Sequence, residues 1–227
     1  MARFSRLDVL TMIRQTGVVP VFYHGDLDTA KSIVQACFEG GAPVLEFTNR
    51  GDFAWEVFAG VERFCSNELP GAILGAGSVI DSPTAGLYVN NGASFVVGPS
   101  MNPEVASFCN RRKVAYIPGC ATATEISNAE ALGCEVVKVF PGDAAGGPDF
   151  VRAVLAPMPW SSIMPTGGVD ITRDSLEAWF RAGVFAVGIG SRLVSPEIVK
   201  SRDWAGLTRR TRTTVDLIAA IRGAQRG

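Results

Sequence analysis

Lys138 is the residue of this sequence whose type and surroundings point most directly to chemistry. The chain has four lysines, and only Lys138 lies inside an apolar run, between Val137 and Val139. Burying an ammonium group is costly unless the group is paired or gives up its proton. A neutral amine is a nucleophile that attacks ketones. Lys138 is therefore a candidate Schiff-base nucleophile.

Glu46 is the predicted partner of Lys138. Glycines that each follow a predicted helix and precede a short apolar run stand at Gly41, Gly92, Gly133 and Gly183. Counting five residues on from these glycines reaches Glu46, Val97, Lys138 and Gly188. If the four junctions are equivalent, these positions share one layer on alternate strands of a barrel. We therefore expect Glu46 and Lys138 to meet inside it, with Gly188 leaving space beside them.

This pair allows two interpretations. In the catalytic one, Lys138 attacks a ketone, and Glu46 moves protons on and off the nearby carbon and oxygen. In the structural one, the two residues form an ion pair inside the barrel. Since buried ion pairs stabilise proteins by uncertain amounts, packing alone is a poor reason for the pair, and we favour the catalytic interpretation.

Two glycine-containing loops are candidates for holding a phosphate group. Thr166, Gly167 and Gly168 follow the seventh predicted strand, and 188–191 follows the eighth. Free backbone N–H groups in these two loops often bind phosphate in such barrels, and Thr166 and Ser191 add hydroxyl groups. Tight turns alone could also require the glycines. We favour phosphate binding by the two loops.

Arg50 follows the strand that carries Glu46, where it could hold a substrate carboxylate through two parallel hydrogen bonds. A salt bridge to Asp52 at the rim is the alternative. Other candidates for the mouth of the barrel, which ordinary turns would explain as well, are Ser78, Pro99 and Thr122. Phe140 is expected to line the barrel and contact substrate. The role of His24, the only histidine, stays open.

The elements that must position these residues alternate regularly. Short apolar, β-branched runs, typical of buried parallel strands, lie at 18–22, 44–47, 72–74, 95–97, 114–117, 136–140, 163–165 and 184–189. Helices are predicted at about 28–40, 53–67, 82–91, 102–111, 122–132, 148–155 and 173–182, with further helices at about 5–16 and 204–223. Helix N-caps or first-turn acids are expected at Asp52, Asp81, Thr122 and Thr172. This order predicts an α/β fold, a single-domain (β/α)8 TIM barrel spanning 1–227.

Composition excludes several classes of function. The net charge is −1 and the pI is about 5.9, so nothing indicates binding to nucleic acid or to an anionic membrane. Five cysteines, odd in number and without CxxC spacing, indicate buried thiols in a reducing compartment, not disulfides or a zinc site. Neither a signal peptide nor a membrane-spanning stretch is expected. We therefore predict a cytoplasmic protein with no metal site.

Taken together, six motifs resemble the 2-keto-3-deoxy-6-phosphogluconate (KDPG) / 4-hydroxy-2-oxoglutarate (KHG) aldolase family. They run in order from about residue 9 to 195. The motifs are Val-Leu-Glu46-Phe-Thr-Asn-Arg50, Gly-Ala-Gly-Ser78, Pro118-Gly-Cys-Ala-Thr122, Val-Lys138-Val-Phe-Pro-Gly142, Met-Pro-Thr-Gly-Gly168 and Gly-Ile-Gly-Ser191. Their joint occurrence is specific, although each is weak alone.

The resemblance implies a class I aldolase that needs no metal or other cofactor and is usually a homotrimer. Its substrate would be a small keto acid, KDPG or KHG, cleaved to pyruvate and to glyceraldehyde 3-phosphate or glyoxylate. Lys138 would form the Schiff base, and Glu46 would shuttle protons through water. Arg50 and Thr166 would contact the carboxylate of pyruvate, and Gly167, Gly168, Gly190 and Ser191 would hold the phosphate.

The sequence departs from the family after the first strand, where some members carry a substrate-binding arginine and this chain has His24. This departure leaves the aldehyde product open. Two alternatives to an aldolase stay open: a barrel isomerase or epimerase acting on a sugar phosphate, and a non-catalytic barrel that binds a keto acid.

Overall fold

A computed structural model describes residues 2–224 of the chain. Its helices are α1 (Arg6–Thr16), α2 (Leu27–Glu39), α3 (Ala54–Glu68), α4 (Ser82–Asn90), α5 (Pro103–Arg112), α6 (Ala123–Ala131), α7 (Gly147–Leu155), α8 (Arg173–Arg181), α9 (Pro196–Ser201) and α10 (Trp204–Ala224). Its strands are β1 (Val18–Phe22), β2 (Val44–Thr48), β3 (Ile73–Gly77), β4 (Phe95–Val97), β5 (Ala115–Ile117), β6 (Gly119–Cys120), β7 (Val137–Val139), β8 (Ile163–Pro165) and β9 (Val187–Ile189). Each strand predicted from the sequence is therefore present, several of them shorter than expected.

The strands form two parallel sheets. One has the order β5-β4-β3-β2-β1-β9, and the other has the order β6-β7-β8. Only Pro118 separates β5 from β6 along the chain. At the other boundary, Thr166 and Gly188 form a parallel bridge, and the Phe185 amide donates to the Ile163 carbonyl at 2.8 Å. Backbone contacts therefore join the sheets at both ends.

One face of the strands encloses an inner apolar core. Alternate residues along a strand share a face, and the inward-facing residues near the amino ends are Val19, Val44, Ile73, Phe95, Ala115, Val136, Met164 and Ala186. Helix α1 packs against these amino ends through Val9 and Ile13, both fully buried. Its start is fixed by a capping box between Ser5 and Asp8. The helix therefore closes the amino end of the strand array.

The opposite strand face packs against the surrounding helices and forms the larger apolar core. Phe47 of β2 lies in it, in edge-to-face contact with Phe58 of α3 at a centroid distance of 5.9 Å. Helix α10 packs against α2, with Thr211 beside Cys37. Gly40 permits this approach, because a Cβ there would come within 2.5 Å of the Thr211 Cβ.

Local details differ from the predictions in three places. Asp81 and Thr122 do cap their helices, and Thr172 is an N-cap without a side-chain bond. Asp52 is not the cap of α3; that place is taken by Phe53, with φ 58°. The six-residue helix α9 and the strand β6 were not predicted.

Among residues 2–224, none of the helices combines the length and apolar character required to cross a membrane.

Candidate active site

Lys138 and Glu46 meet as the glycine spacing predicts. Lys138 lies on β7 and Glu46 on β2, and each is two residues beyond an inner-core valine on the same strand face. The Lys138 Nζ is 3.6 Å from the Glu46 Oε1, and their side chains are 7% and 1% exposed. The ammonium also lies 5.1 Å from the centroid of the Phe140 ring, within the range of a cation–π contact.

The Glu46 carboxylate has unused hydrogen-bonding capacity. Neither of its oxygens receives a hydrogen bond from any residue between 2 and 224. Buried carboxylates in folded proteins nearly always have such partners, so this one is available to a ligand or water. Gly77 on the neighbouring strand β3 makes room for it, since a Cβ there would lie 2.6 Å from the Glu46 Cδ.

A cleft of about 950 Å³ opens at the carboxyl ends of the strands, beside this pair. Thr48 and Phe140 line it, and each is two residues beyond Glu46 or Lys138, so the pair lies one inward-facing position deeper. The predicted site residues that line the cleft are Arg50, Phe140, Thr166, Gly167, Gly168, Gly190 and Ser191. The structure thus brings the predicted carboxylate and phosphate candidates to one cavity.

The loop after β8 has a backbone that favours glycine. Gly167 and Gly168 have φ values of 88° and 72°, which L side chains rarely adopt. Next to them, the buried Thr166 Oγ1 has no hydrogen-bond partner in the described part of the chain. The space left by Gly188 lies beside this hydroxyl, which a Cβ at that position would overlap. Gly188 therefore makes room for Thr166, not directly for Glu46 and Lys138 as expected.

Arg50 is exposed at the edge of the cleft. Within residues 2–224 its guanidinium forms no ion pair closer than 4 Å, so the alternative of a salt bridge to Asp52 is wrong. His24 also lines the cleft, and its Nδ1 accepts a hydrogen bond from the Asp26 amide at 3.1 Å.

Besides Glu46 and Lys138, which lie one position deeper, three predicted site residues do not line this cleft. Ser78 is half-buried with φ 58°, and Pro99 is half-buried at the end of β4. Thr122 is exposed, and its hydroxyl caps α6 by accepting a hydrogen bond from the Glu125 amide at 3.2 Å. That cap accounts for Thr122 structurally, and substrate contact by any of the three stays a prediction.

Several cleft residues were missed in the sequence. Tyr23 follows β1, and Arg192, Lys200 and Arg202 lie in and around α9. Lys200 and Arg202 gave no signal because α9 has six residues, too few for a helical period to be visible. Gly77 stands in the quoted Gly-Ala-Gly-Ser78 motif, but only the path of the Glu46 side chain, which extends over Gly77, reveals that the two residues meet.

The chain matches the family model described as KDPG and KHG aldolase over residues 9–210. It is 31% identical to a 2-dehydro-3-deoxy-phosphogluconate aldolase of Pseudomonas aeruginosa, over 96% of each chain. It is 29% identical to the enzyme of the same name from Haemophilus influenzae, over 95% of this chain and 99% of that one.

Among solved structures, this fold is similar to a KDPG aldolase of Legionella pneumophila. The TM-score is 0.82 at 28% identity, over 91% of this chain and 97% of the other. In that crystal structure, pyruvate is captured at low pH as a covalent carbinolamine intermediate. The family-model match, over residues 9–210, includes both Glu46 and Lys138.

Proposed function

Because this chain belongs to the KDPG and KHG aldolase family, we propose that Lys138 is the amine through which it cleaves a 2-keto-4-hydroxy acid. The reaction is a reversible aldehyde-lyase reaction that yields pyruvate and an aldehyde. The substrates are KDPG, giving glyceraldehyde 3-phosphate, and KHG, giving glyoxylate. The observation that carries this proposal is the Lys138 amine 3.6 Å from a buried carboxylate that lacks hydrogen-bond partners among residues 2–224.

Lys138 begins the reaction by attacking the C2 ketone of the substrate. The amine, after transferring its proton to Glu46, adds to C2 and forms a carbinolamine. Glu46 returns a proton to the carbinolamine hydroxyl, water leaves, and the C=N bond of an iminium forms. The iminium carries a positive charge on nitrogen, so it can accept the electron pair of a breaking bond.

Cleavage then starts with loss of the proton from the C4 hydroxyl group. Glu46 removes this proton, the C4 oxygen forms a carbonyl, and the C3–C4 electron pair moves toward the iminium nitrogen. The aldehyde leaves, and an enamine of pyruvate stays on Lys138. Glu46 gives the proton to C3, and water adds to the regenerated iminium to release pyruvate and the free amine. Proton transfer through one water fits the open hydrogen-bonding positions on the carboxylate.

The remaining site residues hold the two ends of the substrate. Arg50 and Thr166 hold the carboxylate next to C2, as their places in the cleft allow. Phe140 packs beside the reacting carbons. The amides and hydroxyl of Gly167, Gly168, Gly190 and Ser191 bind a distal phosphate. Ser78, Pro99 and Thr122 complete the mouth in this proposal.

Borohydride trapping tests the role of Lys138. Reduction in the presence of pyruvate is expected to add the mass of a reduced pyruvate adduct to the peptide that carries Lys138. Lys138→Met should abolish both the adduct and cleavage while the protein stays folded by circular dichroism. Lys113→Met, at an exposed helix end, is the matched control and should be trapped like the native chain.

The same experiment separates the alternatives. An isomerase or epimerase on this fold would need no trapped lysine, and a non-catalytic keto-acid barrel would be stabilised by pyruvate without turnover. An unmodified Lys138 after reduction, in protein that binds pyruvate, would exclude the Schiff-base mechanism.

For the fold, we propose a closed (β/α)8 barrel in one domain. β5 and β6 together take one place in the wall, and the bridge between Thr166 and Gly188 supports closure between β8 and β9. The contact of α1 with the inner core and of α10 with α2 supports a single unit. The proposed domain, 1–227, includes Met1 and 225–227, which lie outside the described residues.

We also propose that the chain forms a homotrimer. Phe53 and Ile80 are 69% and 61% exposed, on the loops that leave the adjacent strands β2 and β3. Exposed apolar side chains of this size are typical of interfaces when they cluster. Phe53→Asp with Ile80→Asp should convert a trimer, measured by light scattering after gel filtration, into a monomer.

Two further properties belong to the proposal. The enzyme works in the cytoplasm, a location consistent with five free cysteines, and cell fractionation tests this. It needs no metal or other cofactor, because the protonated Schiff base itself accepts the electron pair. Activity that is unchanged after EDTA and dialysis is the expected result.

A further inference from the structure

The cleft collects positive charge in a protein that is almost neutral. Its lining contains the side chains of Arg50, Arg192, Lys200 and Arg202 but one carboxylate, Asp26. The whole chain, by contrast, has a formal net charge of −1. Clefts that concentrate one sign of charge attract ligands of the opposite sign. The cleft is therefore suited to a substrate with more than one negative group.

Charges at the outer end of this cleft differ in how far they are already used. Arg192 pairs with Asp170, Nε to Oδ2, at 3.3 Å. Asp26 accepts hydrogen bonds from the amide and hydroxyl of Thr29, at 2.9 and 2.6 Å. The Thr29 hydroxyl and amide bonds lower the pKa of Asp26, as do the nearby His24 and Arg202. Asp26 is therefore ionised and committed to capping α2.

Lys200 and Arg202 are used less, although the charge of Arg202 contributes to lowering the Asp26 pKa. Neither forms an ion pair within 4 Å anywhere in residues 2–224. Both are exposed, and both line the same cavity as the glycine loops. Two uncommitted cations beside a glycine loop make a suitable environment for a dianion.

The backbone fixes where Arg202 stands. It is the C-cap of α9, with φ 55° and ψ 32°, and its amide donates to the Val199 carbonyl at 3.2 Å. A left-handed conformation is uncommon and unfavourable for a side chain of this size. Glycine would fit this position with less strain, so the structure gives no conformational reason for an arginine here. The feature that arginine adds at this position is therefore its positively charged side chain.

We propose that Lys200 and Arg202 form a distal anion subsite that makes this chain prefer a substrate whose aldehyde half carries a phosphate. This inference rests on the proposed aldolase function. Arg50 neutralises the substrate carboxylate, and the two cations at α9, which line the same cleft as the glycine loops, bind the phosphate. His24 lines the cleft at the same edge, and its Nδ1 accepts a hydrogen bond from the Asp26 amide.

The phosphate is favoured over a second carboxylate for a chemical reason. A phosphate ester carries nearly two negative charges at neutral pH and offers three acceptor oxygens. Backbone amides of the glycine loops can bind only some of these oxygens, and the remaining ones face Lys200 and Arg202. Glyoxylate, the aldehyde half of KHG, carries a single carboxylate and no phosphate.

The test compares kcat/KM for KDPG with kcat/KM for its unphosphorylated counterpart, 2-keto-3-deoxygluconate. The variants are Lys200→Met and Arg202→Gly. Each should lower the ratio of the two values about tenfold, the loss expected for one charge-assisted contact to phosphate. As a readout without turnover, inorganic phosphate should raise the melting temperature of the native chain more than that of either variant.

The chain offers a matched control for each variant. Lys113 is also a helix C-cap, with φ 55° and ψ 36°, so Lys113→Gly reproduces the backbone change of Arg202→Gly outside the cleft. Lys31→Met, in α2, matches Lys200→Met. Neither control should change the ratio or the stabilisation by phosphate.

An equal loss on both substrates, or no loss on either, would overturn the subsite. So would a phosphate-induced shift in melting temperature that is the same in all five proteins. Failure of the aldolase proposal looks different, because trapping of pyruvate on Lys138 involves no distal group. A native chain that traps pyruvate but shows no phosphate preference contradicts the subsite alone.

Discussion

The position of the Glu46 side chain depends on a neighbouring glycine. Gly77 on β3 has no Cβ, and the Glu46 side chain occupies the space that a Cβ would fill. Its φ is not in the left-handed region, so alanine is compatible with the backbone there. Gly77 is therefore a positioning residue for Glu46, and we can ask what happens when the space is filled.

Gly77→Ala is expected to lower kcat for cleavage by about 10²-fold, because an added methyl group displaces the carboxylate by about 1 Å from its position. Proton exchange at the methyl group of pyruvate, followed by NMR in D2O, should slow by a similar factor. Trapping of pyruvate on Lys138 by borohydride should persist, since the amine itself is not displaced.

Gly86→Ala is the control for this variant. Gly86 lies in α4, and its nearest neighbour to an added Cβ is the Phe108 Cζ at 3.7 Å, so the change should leave exchange intact and stabilise the helix slightly. Native rates of exchange in Gly77→Ala would show that the carboxylate does not need this position.

For single residues, the sequence predicted the contact between Glu46 and Lys138 but not the residues that make room for it. The spacing of four glycines predicted that Glu46 and Lys138 meet, and the 3.6 Å contact confirms it. In the sheet, Gly77 pairs with Thr48 and Glu46 pairs with Gly75. The role of Gly77 therefore depends on the direction in which the Glu46 side chain extends, which a single sequence does not contain. The same holds for Gly188, whose space is beside Thr166.

Among the elements, the segment before α1 is fastened by one arginine. Arg3 donates from Nε to the Glu62 Oε1 of α3 at 2.7 Å, and from its two Nη atoms to the carbonyls of Pro70 and Ala72 at 3.2 and 2.7 Å. Burial raises the pKa of Glu62 above its ordinary value of 4.5, while the hydrogen bond and charge of Arg3 lower it. Arg3 therefore offsets part of the cost of burying this carboxylate.

Arg3→Met should lower the free energy of unfolding by about 2 kcal/mol at neutral pH, because it leaves Glu62 buried without its partner. The sign of the pH dependence follows from the raised pKa. A carboxyl with a raised pKa in the folded state stabilises fully below its ordinary value and loses that contribution as pH rises through the folded value. Removing Arg3 raises the pKa further, so the deficit of the variant should shrink between pH 7 and about pH 5, measured by urea unfolding.

The exposed pair of Arg173 and Glu177, at 3.1 Å, provides the comparison. Arg173→Met should cost less than about 0.5 kcal/mol. A deficit of Arg3→Met that is constant across this pH range would mean that Glu62 does not titrate in it.

Helices and strands were predicted correctly where the sequence shows a regular alternation of apolar runs and amphipathic segments. Buried parallel strands of three to five residues, separated by helices of nine residues or more, leave a clear alternation in the sequence. Helix α9 is too short to show one, and Pro118 divides one predicted strand region from the short β6. Phe53 adopts a conformation that glycine or asparagine would signal, so a reader of the sequence had no reason to expect the start of α3 there.

For the molecule as a whole, the cysteines were predicted as buried thiols, and the structure confirms this. All five are buried and free. Burial raises the pKa of Cys37, Cys65, Cys109, Cys120 and Cys134 to about 12 in each case. Since the thiolate is the reactive form, these thiols should react slowly, because reagents do not reach them and because they stay protonated.

Native protein at pH 8 should therefore react with Ellman's reagent far more slowly than free cysteine does. After unfolding in concentrated guanidinium chloride, five equivalents should react within the mixing time. One thiol that reacts at the free rate in the native protein would contradict the burial of that residue, and mass spectrometry of the labelled peptides would identify it.

Helix α1 closes the amino end of the strand array with Val9 and Ile13, and the cleft opens at the carboxyl end. A substrate therefore enters and both products leave through the same opening, and in the proposed mechanism pyruvate is attached to Lys138 at its inner end. The aldehyde half must leave first, and in the direction of synthesis pyruvate must be loaded before any aldehyde is useful. Steady-state kinetics should therefore show a compulsory order of substrate binding and product release, because α1 closes the other end of the strand array.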